Sequence, residues 1–558
     1  MSTILVLGGY GGFGARLSRR LAAAGHDVVV AGRRLASAEA FCAAHPRCRP
    51  LQADRNDAVA PMLDRVRPDL VIDAAGPFQG SGYDLPRACI AAAIPYLDLA
   101  DGRAFVTGIG QLDAFARAAG VTILAGASSV PALSGAVVRR LAQGIDAVTA
   151  VEIAISASNR ATAGTSVAAA ILSYVGKPIR LWRGQRWSEG VGWQELRHER
   201  FAMSDGSSLG RRWLALADVP DLDLLPARLP GRPAVSFRAG TELALQTIGL
   251  WCASWPVRWG WLSSLQGLAR WLLLAQRLTA RWGSDRSGMI VRLFGLADGR
   301  RIERCWTLVA ADGHGPEIPV LPAAILAERI LSGSTTPGAR DAGTGLDLID
   351  FEPSFAGLSI HHEVREAVEG DALYARIMGS CFAKLAPSVA GLHGVLSDAG
   401  VQGRAVVRRG RHPVARAFAA LLGLPAAGEH VLHVGFIERH GVERWTRAFS
   451  GRRFTSEFSE EDGCVVERFG PLRFRFKLVN EGDGLRMVMH SWSAARLSLP
   501  LAFAPRVSAR EWDEAGLFRF DVSIALPLIG LVVHYQGWLD IDGSRGQQSR
   551  SAPGADIS

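Results

Sequence analysis

Residues 3–25 read TILVLGGYGGFGARLSRRLAAAG, and the order of events in that stretch decides how the chain begins to fold. Residues 3–8 are an apolar run of strand length. A loop follows in which Gly9, Gly11 and Gly14 form G-x-G-x-x-G, with Gly12 and Phe13 inside it. Leu17, Leu21 and Ala24 then recur at helical spacing. The first glycine allows a tight turn, the second lets a pyrophosphate approach the backbone, and the third lets the helix pack on the strand. The helix N-terminus turns free N–H groups and a positive dipole end towards the phosphates. Alone, a glycine fingerprint is a weak signal; with a strand before it and a helix after, it reads as a dinucleotide site.

Working outward, DVVVAGRR (27–34) supplies a second strand. A site selective for NAD carries an acid at the end of this strand to hold the ribose 2′-hydroxyl, but Gly32, Arg33 and Arg34 stand there. Two guanidinium groups suit a 2′-phosphate, so the expected cofactor is NADP; solvated surface arginines are the alternative. RPLQADRND (49–57) reads as a third strand leading to Asp54, a position suited to the adenine edge. PDLVIDAAGPF (68–78) is a fourth, bringing Ala75, Gly76, Pro77 and Phe78 to the cofactor. IPYLDLADG (94–102) and GVTILAGASSVPALSG (120–135) continue the alternation of strand and helix. The pattern predicts an α/β fold whose first domain, residues 1–130, is a Rossmann-type doubly wound parallel sheet.

Taken together, the glycine loop, AGRR, AAGPF, YLDLADG and AGASSVPALSG resemble the saccharopine dehydrogenase-like family of NADP-binding reductases. The resemblance covers about residues 1–360 and includes GHGPEIP (313–319) and TPGAR (336–340). It implies an α/β substrate domain over 131–360 and a return of the chain towards the nucleotide domain near its end. The family spans the amino-acid enzyme, lipid-acting enoyl reductases and members of unknown activity, so the motifs define no substrate. One departure matters: the family's Tyr-x-Asp…Gly-Glu pattern reads Tyr96, Asp98, then Asp101-Gly102-Arg103, and no glutamate role carries over. Candidate proton donors are Tyr96, Asp98, Ser128 and Ser129, each with an ordinary alternative as a loop cap or structural hydrogen-bonder. In the resemblance, the Gly164-Thr165-Ser166 turn and the helix after it border the substrate pocket. Tyr174 and Lys177 lie three apart instead of four, so the dyad of short-chain reductases is not supported.

The chain has 558 residues, 48% hydrophobic and 21% charged, with a formal charge of +9. That excludes wholesale disorder. Only Lys177, Lys384 and Lys477 contribute lysine, and no basic run or binding motif points to nucleic acid. The seven cysteines are scattered without a CxxC pair, and the histidines, His361, His362, His490 and His534 among them, show no ligand spacing. No metal site is expected. A strand starting at Thr3 leaves no room for a signal peptide, and free thiols fit a reducing compartment, so the expectation is a cytoplasmic protein of unknown oligomeric state.

Residues 249–288 stand out: they hold Trp251, Trp255, Trp259, Trp261, Trp271 and Trp282, six of the fifteen tryptophans. No acid occurs between Glu242 and Asp285, while Arg258, Arg270, Arg277 and Arg281 do. The expectation is peripheral membrane contact or an entry site for an apolar substrate, not a transmembrane helix. Interdomain packing is the alternative, and it requires these tryptophans to be buried by the protein.

After the glycine-rich connection 332–345 and a helical stretch from Leu373, the period changes to two. Phe474, Phe476 and Leu478 alternate with Arg473, Arg475 and Lys477, and the stretch 517–526 behaves likewise, which predicts antiparallel strands in a curved sheet or barrel. ERWTRAFSGRRFTSEF (443–458), VERFGPLRFRF (466–476), SLPLAFAP (498–505) and ALPLIGLVVHYQGWL (525–539) resemble a bacterial domain of unknown function, over about 373–541. Trp445, Arg447, Glu467 and Arg468 fit either a ligand cavity or cross-strand pairs, with pairs the simpler reading. A polar tail follows at 543–558. The functional expectation is an NADP-dependent oxidoreductase passing hydride to a small-molecule, hydrophobic (lipid-like) carbonyl, imine or enoyl acceptor. A non-catalytic NADP- or lipid-binding redox sensor and a saccharopine-type amino-acid dehydrogenase are the alternatives.

Overall fold

The computed structural model describes residues 1–541 apart from 58, 161–163, 299, 369, 395–397, 483 and 496; the tail at 543–558 lies outside the described residues. The N-terminal sheet is built from β1 (Thr3–Leu7), β2 (Asp27–Gly32), β3 (Cys48–Gln52), β4 (Leu70–Asp73), β5 (Tyr96–Asp98) and β6 (Thr122–Ala125). A late strand, Gly338–Asp341, returns to pair in parallel with β6. The order is return strand, β6, β5, β4, β1, β2, β3, and every pairing is parallel. Ile4–Leu7 and Leu70–Ile72 are fully buried, as strands covered on both faces must be. Strand order reverses between β1 and β4, which opens a crevice at their carboxyl ends.

A second sheet of seven strands is mixed. Ala147–Ala157 runs parallel to Ala234–Thr241, and the other pairings are antiparallel. Its last strand, Ile360–Val368, runs past the boundary expected at 360, because it completes the edge beside Arg300–Ala310. One hydrophobic cluster runs from Ile4 and Val30 through Val151 and Trp306, so the two sheets share a core.

The C-terminal region is a closed antiparallel barrel. It is an eleven-stranded sheet in which Leu472–Asn480 also pairs with Gly484–Ala494, so that ten strands close a ring and Leu497–Leu499 hangs on one end. The first barrel strand, Ala399–Arg409, lies beside the last, Gly530–Asp540. Helices Leu373–Met378 and Pro387–His393 pack against one end, with Tyr374 and His393 fully buried there. The alternation seen in the sequence is what closes the ring: Phe474, Phe476, Phe518 and Phe520 all turn inward to one apolar cluster.

The barrel docks on the turn of a separate two-stranded hairpin, Pro178–Arg183 with Arg186–Val191. The Gly184 N–H donates to Asp398 Oδ1 at 2.9 Å, and the Gly184 carbonyl is 2.8 Å from His433 Nε2. A Cβ at Gly400 would overlap the Gly184 carbonyl oxygen, so glycine is required for this approach.

Candidate functional site: a cleft between the two sheets

The glycine loop leaves β1 through Gly8, whose φ of +72° is the left-handed region that favours glycine. Helix α1 (Gly14–Ala23) then starts against it, and a Cβ at Gly14 would collide with the Gly8 carbonyl. Leu17 and Leu21 are buried, while Ala24 falls one residue beyond the helix and is exposed. Neither a side-chain cap nor an acid in the first turn satisfies the helix N-terminus. Apart from the Ala15 N–H, which donates to the Gly11 carbonyl at 2.8 Å, its first-turn N–H groups remain available to an anion.

The loop opens into a cleft of about 1410 Å³ between the parallel and mixed sheets. On the nucleotide side its walls include Gly11, Gly12, Phe13, Arg33, Arg34, Asp54 and Ala75–Phe78. Arg33 and Arg34 are exposed at the end of β2, with no carboxylate in ion-pair reach among the described residues. Asp54 Oδ1 accepts from the Asn56 N–H at 3.0 Å, fixing the turn after β3. Phe78 is buried, its ring 5.4 Å from Phe105, and it carries the Arg55 guanidinium 4.6 Å above it. Arg55 also reaches Asp73 at 3.2 Å and the Ala75 carbonyl at 3.0 Å, pinning the loop after β4. Sequence reading missed both Arg55 and Tyr10, whose hydroxyl accepts from the Arg34 N–H at 2.9 Å. No motif marks them; Tyr10 sits inside the glycine loop and fits because Gly32 lacks a side chain beneath its ring.

The four expected proton donors separate. Ser128 and Ser129 line the cleft. Tyr96 and Asp98 do not: both are fully buried within β5, beneath it. Asp98 Oδ1 accepts from the Ala100 N–H at 2.9 Å and the Gly126 N–H at 2.7 Å, tying the ends of β5 and β6 together. Burial pushes its pKa up to about 7 against those hydrogen bonds, and burial likewise raises the Tyr96 phenol far above its ordinary range. Among the described residues three acids line the cleft: Asp54 holds its own turn, Asp218 pairs with Arg103 at 2.9 Å, and Asp101 is held by Gln79 Nε2 at 3.1 Å. Burial raises its pKa, with the Gln79 hydrogen bond opposing. Arg103, where the family pattern has glutamate, binds Asp223 at 2.6 Å and Asp218 at 2.9 Å, so it clamps the two domains instead.

The far wall is different in character. Ile171, Tyr174, Trp193, Phe237 and Met289 make it largely apolar, and Arg270 is the cation on that side among the described lining residues. Gly164, Thr165 and Ser166 border it at the start of helix Thr165–Tyr174. Gly315–Val320 forms the last wall, anchored by Glu317 to Arg16 at 3.2 Å and Arg20 at 3.1 Å on α1, which explains the GHGPEIP segment.

Arg270 belongs to the tryptophan-rich segment. Helix Ala244–Arg258 carries Trp251 and Trp255 half-buried, and the chain continues through Trp259 and Trp261 into helix Ala269–Thr279. Successive rings from Trp251 to Trp261 lie 5.8, 5.5 and 4.9 Å apart. Trp259, Trp261, Trp271 and Trp282 are 56%, 72%, 67% and 71% exposed, so the protein does not bury them itself. No helix among the described residues is long and apolar enough to cross a membrane.

A dinucleotide crevice facing a second sheet defines the class: a Rossmann-type nucleotide-binding protein. Residues 4–124 match the saccharopine dehydrogenase NADP binding domain, and residues 385–539 match a domain of unknown function, DUF4166. A saccharopine dehydrogenase NADP-binding domain thus opens the chain and DUF4166 closes it, which supports an NAD(P)-dependent oxidoreductase. No curated protein matches the chain. Similar solved structures include apo saccharopine dehydrogenase (L-Glu forming) from Saccharomyces cerevisiae, 14% identical, covering 65% of this chain and 100% of that one with a TM-score of 0.45. Another is 3-hydroxyacyl-CoA dehydrogenase type-2 from Mycobacterium avium, 18% identical, covering 22% and 71% with a TM-score of 0.19.

Proposed function

We propose that this protein is an NADP-dependent oxidoreductase that passes hydride to a hydrophobic, lipid-like carbonyl, imine or enoyl acceptor. The observation that carries the reading is the continuity of the cleft, from the glycine loop and Arg33–Arg34 at one end to the apolar wall of Ile171, Trp193, Phe237 and Met289 at the other. The residues fit the dinucleotide: a helix N-terminus without a side-chain cap for the pyrophosphate, and two guanidiniums without a carboxylate partner among the described residues for a 2′-phosphate. When bound, NADPH supplies the hydride. The chain must orient the acceptor, exclude water and deliver a proton. Asp101 suits the last task, since burial keeps its carboxyl protonated to higher pH and Gln79 fixes its orientation. It would give its proton to the oxygen, nitrogen or carbon left electron-rich by hydride addition and become a carboxylate. Ser128 and Ser129 offer hydroxyl donors on the same floor. A multiply charged amino-acid substrate fits less well, because the wall away from the nucleotide loop is largely apolar, with Arg270 its cation and Asp218 already paired with Arg103.

The exposed tryptophans and arginines of 249–288 support peripheral attachment of a cytoplasmic protein to a membrane surface, with Arg270 joining that surface to the cleft. The reading is tested by NADPH oxidation in the full chain with aldehydes and 2-enoyl thioesters of increasing chain length. The expected result is turnover that rises with acyl length. Tight NADPH binding without turnover on any acceptor would favour a redox sensor and overturn the proposal.

A further inference from the structure

The barrel has an interior that the cleft chemistry does not use. Eight strands close a barrel whose lumen side chains fill, and diameter grows with strand number, so a ring of ten leaves more room. Burial along the inward faces is graded. On Leu517–Leu526, Phe518 and Phe520 are buried, whereas Val522, Ile524 and Leu526 on the same face are only half-buried. Gly484–Ala494 repeats the trend, with Leu485 and Met487 buried and Met489 and Trp492 half-buried. The buried end is the one closed by Tyr374 and His393. The other end is covered on one side only, by helix Pro413–Leu421, whose Ala415 and Ala419 are buried in the same cluster; on the side left open Leu499, Leu501, Phe503 and Leu528 are exposed.

Inside this apolar lumen stands a cation. Arg447 shares the inward face of Val442–Phe449 with Trp445 and Phe449, and its guanidinium lies 5.1 Å from the Trp445 ring, 5.5 Å from Phe454 and 5.7 Å from Phe458. One hydrogen bond, to Ser456 Oγ at 2.9 Å, occupies it, and no carboxylate is in ion-pair reach among the described residues. Two of the nearby acids are engaged elsewhere: Glu443 accepts from Trp445 Nε1 at 3.0 Å, and Glu511 pairs with His393 at 2.6 Å. Glu467, on the next strand but one, is half-buried. Two polar atoms of this interior, Glu443 Oε1 and His393 Nδ1, are buried without a hydrogen-bond partner among the described residues. An aromatic box around an underused guanidinium is costly in a packed core and useful in a binding site.

We infer that the C-terminal barrel binds a long-chain carboxylate, its apolar chain lying towards the open end and its carboxylate gripped by Arg447. The site is separate from the dinucleotide cleft, whose lining includes neither Arg447 nor any other barrel residue. The test uses the full chain: displacement of cis-parinarate by palmitate and by hexadecanol, in wild type, Arg447→Gln and Ile524→Trp, with thermal melting to confirm folding. The expected result is saturable displacement by palmitate in the wild type. Arg447→Gln should weaken palmitate by roughly tenfold or more while hexadecanol is little changed. Ile524→Trp, which obstructs the open end and leaves Arg447 alone, should weaken both. Absence of saturable palmitate binding, or palmitate affinity equal in wild type and a folded Arg447→Gln, overturns the inference. Sensitivity of palmitate binding to saturating NADPH but not to Ile524→Trp would place the chain in the cleft and overturn it too.

Discussion

Arg33 and Arg34 sit one step beyond β2, exposed and without an ion-pair partner among the described residues, where a 2′-phosphate would lie under the proposed reading. Replacing both by alanine should weaken NADPH binding at least tenfold and leave NADH binding nearly unchanged, because each charge-assisted hydrogen bond is worth about 1.5–3 kcal/mol. Isothermal titration with both nucleotides measures the contrast, and an unchanged NADPH affinity contradicts the cofactor choice. Asp101→Asn should lower kcat by about 10²–10⁴-fold without altering NADPH affinity. Since the group must be protonated to act, wild-type activity should fall as pH rises through its raised pKa, and the variant should lose that limb. The glycine loop and the two arginines could be read from the sequence because their spacing is local. Tyr96 and Asp98 could not be separated from true cleft residues, because only sheet order reveals that a three-residue central strand buries both. Asp101 gains its partner Gln79 across twenty-two residues of chain, a proximity created by folding.

At the level of elements, the tryptophan-rich segment combines two helices with an exposed aromatic edge. Its composition was legible, but whether a neighbouring domain covered it depended on packing, and the exposure of four of its rings answers that. Trp259, Trp261 and Trp271 changed together to serine should abolish flotation of the full chain with vesicles containing anionic lipid. Melting temperature should hardly move, since exposed rings contribute little to the core. A wild-type protein that stays wholly in the aqueous fraction removes the membrane proposal. Helical and β periodicity likewise announced where the barrel begins, yet its closure could not be read. Pairing of Ala399–Arg409 with Gly530–Asp540 joins segments too far apart for alternation to connect.

Across the whole molecule, the barrel is held to the two-stranded hairpin at its Gly184 turn, and that junction is sensitive to pH. Burial holds the His433 pKa down at about 4, with Arg186 adding repulsion, so the folded protein keeps the ring neutral while the unfolded chain protonates near 6.5. His433 therefore withdraws stability as pH falls from 6.5 to 4, up to about 3 kcal/mol. Asp398, raised by burial to about 6, acts in the opposite sense over an overlapping range, so the difference between variants is the informative quantity. Relative to wild type, His433→Gln should gain stability progressively between pH 6.5 and 4 in denaturant titrations. A constant difference across that range contradicts the assignment. The central claim, hydride transfer in the cleft to an apolar acceptor, is tested most directly with NADPH deuterated at the nicotinamide C4. Mass spectrometry should find deuterium on carbon in the reduced long-chain carbonyl or enoyl product, and Asp101→Asn should suppress its appearance. Failure of label to reach any acceptor, in a full chain that binds NADPH tightly, would contradict the claim.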